Sequence, residues 1–97
     1  MKLRILYGVT LFAMTLASSA YSAEMGPIEF GIDRLGSDVS SSVLPRSDPN
    51  LCLAQCGSVP TCSAWSLRLA DRRCFLKSSA PAPTLNANVI SGVKIRP

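Results

Sequence analysis

All four cysteines of this 97-residue chain lie between Cys52 and Cys74, separated by three, five and eleven intervening residues. That cluster constrains the fold more than any other feature. The spacings form no paired C-x2-C knuckles and the chain contains no His, which argues against a structural zinc site and a thioredoxin-type redox pair. In a short exported chain, four cysteines read instead as a disulfide framework. Ser47-Asp48-Pro49 begins a helix: Asp48 caps free backbone N–H groups, and Pro49 suits the first helical position, where its missing N–H is not needed. The helix is expected from about Pro49 to Cys56, with Gly57 as its stop. So short a helix is unstable alone. Cys52 and Cys56, four apart, project from one face, and on a regular helix they are poorly placed to bond each other. Two connectivities remain, Cys52–Cys74 with Cys56–Cys62, or Cys52–Cys62 with Cys56–Cys74. Only five residues separate Cys56, at the helix end, from Cys62, which favours the nested first pairing. On the chain-entropy model its inner bridge contributes about 2.5 kcal/mol and its outer about 3.5 kcal/mol.

Export is expected from the first residues. Lys2 and Arg4 form a positive n-region, Ile5 to Ala17 an apolar h-region, and the small residues Ser18 to Ala23 a cleavage region. Residues 1–23 are therefore read as a signal peptide cut between positions 20 and 23, and the protein as secreted or periplasmic. The apolar run falls short of the ~20 residues a bilayer-spanning helix needs, so no stable membrane anchor is expected after cleavage. The mature chain has about 75 residues, a size at which one core rarely suffices without staples. Removing Lys2 and Arg4 lowers the formal charge from +4 to +2. No dense Lys/Arg face is written in what remains, which argues against nucleic acid as a partner.

Along the mature chain, Ile28 to Ile32 alternates at period two as a half-buried strand does, with Gly31 marking a bulge or close approach. Asp33-Arg34-Leu35-Gly36-Ser37-Asp38 has turn chemistry, and Gly36 can take a positive φ. Val39 to Leu44 is Ser-rich and extended, fit for a short edge strand. After the helix, the runs Cys62 to Arg68 and Arg73 to Lys77 flank a polar connection and read as a hairpin. Cys74 and Leu76 share one strand face, expected to lie under the helix. Cys62 and Trp65 are an odd number apart, so either the strand begins after Cys62 or Trp65 packs on the opposite face. Ser78 to Thr84 is a polyproline-like loop, and Asn88 to Ile95 resumes β character as a closing strand.

In this order and spacing, several segments resemble the PAN/apple module, in particular the short PAN-type domains of bacterial exported proteins. They are Asp33 to Asp38, Ser47-Asp48-Pro49 with Leu51, Cys52 and Cys56, Cys62-Ser63-Ala64-Trp65, Arg73 to Lys77, and Ser91-Gly92-Val93-Lys94. The resemblance covers about Glu29 to Lys94 and implies an α+β domain over residues 24–97, one short helix on a curved antiparallel sheet with two disulfides. The nested pairing agrees with it. It also implies a non-catalytic binding module for a protein or carbohydrate ligand. Larger apple domains carry a third disulfide joining the terminal strands; this chain lacks those cysteines, so its ends are expected to be looser.

Candidate binding residues are Trp65, as a stacking platform or the main core aromatic, and the cationic cluster Arg68, Arg72, Arg73 and Lys77 around the hairpin. That cluster can receive an acidic glycan, a phosphate or an acidic protein face, or simply protect the hairpin from edge pairing. Without His there is no Ser-His or Cys-His nucleophile pair, and the six acidic residues have caps and turns to serve. No enzyme, cofactor or metal is expected, and the domain is expected to act as a monomer. The alternatives are a small inhibitor or effector that plugs an enzyme, and a structural subunit that self-associates through a strand edge.

Overall fold

The computed structural model describes residues 23–97; apart from Ala23, the expected signal segment lies outside the described residues. One helix rests on a curled antiparallel sheet. The elements, in chain order, are β1 (Glu24–Met25), β2 (Glu29–Asp33), β3 (Asp38–Val43), α1 (Pro49–Ser58), β4 (Ala64–Arg68), β5 (Arg73–Lys77) and β6 (Thr84–Arg96). Across the sheet the order is β1-β6-β4-β5-β3, with β2 also paired to β6. The long β6 organises this arrangement. It pairs with β4 from Ala64↔Val93 to Arg68↔Val89, and its two ends take β2 (Asp33↔Thr84) and β1 (Glu24↔Arg96).

Local chemistry sets the element ends. Asp48 Oδ1 accepts from the Asn50 N–H at 3.0 Å, and Pro49 opens the helix. The helix does not stop at Gly57 as expected; it continues to Ser58. Its stop is Pro60, which forces the preceding Val59 into an extended conformation (φ −104°), and the Val59 N–H closes the last turn on Cys56 O. Gly31 has φ 72° and lies where the β2–β6 register shifts, the expected bulge. Gly36 has φ 99° in the β2–β3 turn. The closing strand is longer than its β-rich core suggests, because Thr84 and Leu85 pair with Asp33 and Ile32.

Strand parity gives the sheet two unlike faces. Trp65 and Leu67 on β4, Cys74 and Leu76 on β5, and Ile90 on β6 are buried with Cys52 and Cys56 in one core under α1. The disulfides are Cys52–Cys74 and Cys56–Cys62, the nested pairing. Because β4 begins at Ala64, after Cys62, the odd spacing between Cys62 and Trp65 is no conflict, and both residues join the helix-side core. The indole lies against Gly92, directly across on β6. The terminal strands, expected to be loose, are tied without a disulfide: Met25 pairs with Lys94, the Gly26 N–H donates to Val93 O at 2.7 Å, and Glu24 pairs ionically with Arg96.

Candidate functional site

The residues of opposite parity on the same strands face away from the helix. Ser66 and Arg68 on β4 lie beside Phe75, Lys77 and Arg73 on β5 and Ser91 on β6. The β2–β3 connection arches over this open face, and polar groups hold it there. Asp33, at the end of β2, is buried, and its Oδ1 accepts from Ser66 Oγ at 2.9 Å and from the Arg34 N–H at 2.7 Å. Arg34 turns back to form a two-pronged pair with Glu29, both bonds 2.9 Å, and donates to Pro81 O at 2.8 Å. The guanidinium holds the Glu29 carboxyl below its ordinary value, while Glu29 raises Arg34. Lys77, only 2% exposed, donates to Gly36 O at 3.1 Å and to Asp38 Oδ1 at 2.5 Å.

Between the arch and the sheet lies an open cleft of about 150 Å³. Polar Asp33, Asp38, Ser66, Arg68 and Lys77 line it together with apolar Leu35, Phe75 and Val89, the two kinds interleaved across the strands. The Arg68 guanidinium sits 5.0 Å above the Phe75 ring centroid. It forms a two-pronged pair with Asp71 (3.0 and 2.7 Å), whose carboxyl it lowers to about 2. A second depression of about 290 Å³ beside Pro60, Ser63 and Lys94 offers less. Its cations are already engaged, Lys94 by Val59 O at 2.8 Å and Arg96 by Glu24.

The residues singled out in the sequence separate. Trp65 has no exposed surface; its burial under α1 removes it from any ligand-stacking role and makes it the central core aromatic. Arg68 and Lys77 meet in the cleft. Arg72 does not line it: with φ 55° in the hairpin turn, it donates through Nε to Leu44 O at 2.9 Å. Arg73 also lies outside it, beside Asp71 (3.7 Å) and Ser41 (3.2 Å). The four cations are thus individually satisfied and form no common anion-binding patch. Asp33, Leu35, Asp38, Ser66, Phe75 and Val89 were not singled out as binding residues. Parity offered the signal: once Cys74 and Trp65 are assigned to the helix face, Ser66, Arg68, Phe75 and Lys77 belong to the other.

Among the described residues no group of His, Cys, Asp and Glu is placed to hold a metal ion, and no helix is long and apolar enough to cross a membrane. A helix clamped to a curled antiparallel sheet by two nested disulfides defines a small disulfide-stapled α+β module. The family model described as PAN domain matches residues 32–77, from β2 to the end of β5. That match is consistent with the PAN/apple domain family. No curated protein matches the chain significantly.

Proposed function

We propose that this protein is an exported, non-catalytic binding module for a protein or carbohydrate ligand, with residues 1–23 removed as a signal peptide by cleavage between positions 20 and 23 and residues 24–97 acting as one domain. PAN domains generally serve binding, and two disulfides with no free cysteine suit an oxidising compartment, secreted or periplasmic. The observation that carries the reading is the cleft on the open face, where buried polar groups and apolar side chains converge at the surface, the usual form of a ligand site. Arg68 and Lys77 belong to that site; Arg72 and Arg73 serve the hairpin.

One observation favours the self-assembling alternative. The edge strand β3 is exposed along most of its length, with Val39 58% and Val43 50% exposed and no charge between them. Against it, the register shift next to Asp38 breaks the regular edge. Affinity capture from the native envelope and secretome, with a glycan array alongside and light scattering on the purified mature chain, separates the readings. A monomer that captures a specific protein or glycan supports the binding module. An oligomer with no ligand overturns it.

A further inference from the structure

We propose that the open-face cleft binds one uncharged pyranose ring of a glycan. This rests on the binding-module reading and narrows it to a ligand class and a place.

Size comes first. A closed apolar cavity of about 150 Å³ holds a six-membered ring such as benzene, whereas sites for drug-sized ligands span roughly 300–1,000 Å³. A cleft of about 150 Å³ that opens to solvent therefore admits one ring and leaves its outer substituents in water, where a glycan chain continues.

The polar lining then selects among rings. Its two cations are each held by a carboxylate, Lys77 by Asp38 and Arg68 by Asp71. Asp33 adds a further negative charge, held only by the Ser66 hydroxyl and a backbone N–H. No cation is left over to meet a uronate, sulfate or phosphate, and an anion would meet Asp33 at the cost of its own hydration. A cationic group is also poorly matched, because it only donates while Lys77 and Arg68 need acceptors. The Lys77 ammonium has three N–H donors, and Gly36 O and Asp38 take two of them. A hydroxyl both accepts from an ammonium or guanidinium and donates to a carboxylate; a carboxamide does so too, but a sugar ring carries several such groups on one rigid frame of the cleft's size. Several hydroxyls and the C–H groups of one uncharged ring match this interleaved lining, the C–H groups resting on Leu35, Phe75 and Val89.

The test is a titration of the ¹⁵N-labelled mature chain with neutral methyl hexopyranosides (gluco, galacto, manno and N-acetylglucosamine forms), methyl glucuronide, methyl glucosaminide and N-acetyl-lysine amide. At least one neutral glycoside is expected to shift the amides of Gly36, Ser66, Phe75 and Lys77. The glucuronide and the two cationic probes should bind at least about tenfold more weakly, a loss of about 1.4 kcal/mol. Leu35→Trp fills the cleft from an exposed position, and Arg68→Ala removes a donor from the lining; each should weaken binding at least about tenfold, while Ile95→Ser, away from the cleft, stays within about twofold. Retained native amide dispersion shows that each variant folds. The proposal is overturned if no neutral glycoside binds, if a charged probe binds as well, if the shifts map to another surface, or if Leu35→Trp binds normally. Capture of a protein, or of a glycan indifferent to Leu35→Trp, refutes the cleft assignment while the binding-module reading stands.

Discussion

Replacing Gly92 by Ala sets a methyl group against the indole of Trp65. An ideal Cβ at position 92 lies 2.7 Å from Nε1 and 2.8 Å from both Cε2 and Cζ2, where carbon atoms normally rest about 3.5–4.0 Å apart. The ring has nowhere to go, since Trp65 is fully buried beneath α1 and β4 is paired on both sides. Relief must come from the sheet or from the helix that the disulfides hold over it. Overpacking of this kind costs about 1–3 kcal/mol. Ala recovers about 0.5–1 kcal/mol because it loses less backbone freedom than Gly in a strand. Contacts under 3.0 Å to a ring this buried put the overpacking cost in the upper half of its range, so the net loss is about 1–2.5 kcal/mol, a fall in Tm of about 4–20 °C for a domain of this size. Urea and thermal unfolding with the disulfides intact, followed by near-UV circular dichroism of the single Trp, measure it. Trp65→Leu supplies the control. It costs several kcal/mol itself, but in its background Gly92→Ala should become neutral or stabilising, a coupling of at least about 1 kcal/mol. A Gly92→Ala variant as stable as the parent, or a penalty unchanged without the indole, would refute the packing argument.

Other outcomes follow from the same geometry. Removing the outer bridge with Cys52→Ala/Cys74→Ala should cost about 3.5 kcal/mol, against about 2.5 kcal/mol for Cys56→Ala/Cys62→Ala, each with the lost packing of two buried sulfurs added; urea unfolding that reverses this order contradicts it. The Glu29 carboxyl is held below its ordinary 4.5 by Arg34, so the pair's contribution is complete above about pH 4.5 and fades as pH falls through the lowered folded-state value. Glu29→Gln should therefore lose about 1–3 kcal/mol at pH 7 and close the gap to the parent on acidification, as a pH series of urea midpoints would read; a gap that widens in acid sinks the assignment. Asp48→Ala removes the helix cap and should cost about 1 kcal/mol by the same unfolding assay, with Asp48→Asn close to the parent; equal losses from both would deny the cap its role.

Much of the frame was legible because covalent and steric rules act locally. Asp48-Pro49 places the helix start and the spacing of Cys52, Cys56 and Cys62 favours the nested pairing. Gly31 and Gly36 mark the two backbone irregularities of the N-terminal half. Where the reading fell short, the deciding contact was distant or competed with a local signal. Gly57 is a natural helix stop, but its neighbour two residues on precedes Pro60, and the steric demand of that proline sets the end at Ser58. The early start of β6 depends on β2, more than fifty residues away. The cationic cluster looked coherent in sequence because Arg68, Arg72, Arg73 and Lys77 are neighbours along the hairpin. Parity puts Arg68, Arg73 and Lys77 on one face and Arg72 in the turn, and partners from three separate segments (Leu44, Asp71 and Asp38) neutralise or engage them.

The alternation that divides β4 and β5 also divides what each residue can be changed for. On the helix face every side chain is fixed by another: Cys74 by Cys52, Leu67 by its strand partners, and Trp65 by a glycine that leaves room for its ring. A substitution there is resisted by packing, since interiors this dense feel the gain or loss of a single methylene. On the open face the fixed elements are polar, Asp33 with Ser66 and Lys77 with Gly36 and Asp38, and they hold the arch above the sheet rather than fill it. Between those anchors Leu35 is 66% exposed, and Arg68 is joined to the protein by a half-exposed, solvent-screened pair with Asp71 and by its place over the Phe75 ring. Changes at Leu35 and Arg68 therefore reshape the cleft at little cost to the fold. Stability concentrates on one parity of the strands and tolerance of change on the other, so a chain of this length can keep a covalently fixed core beneath an open face that is free to vary.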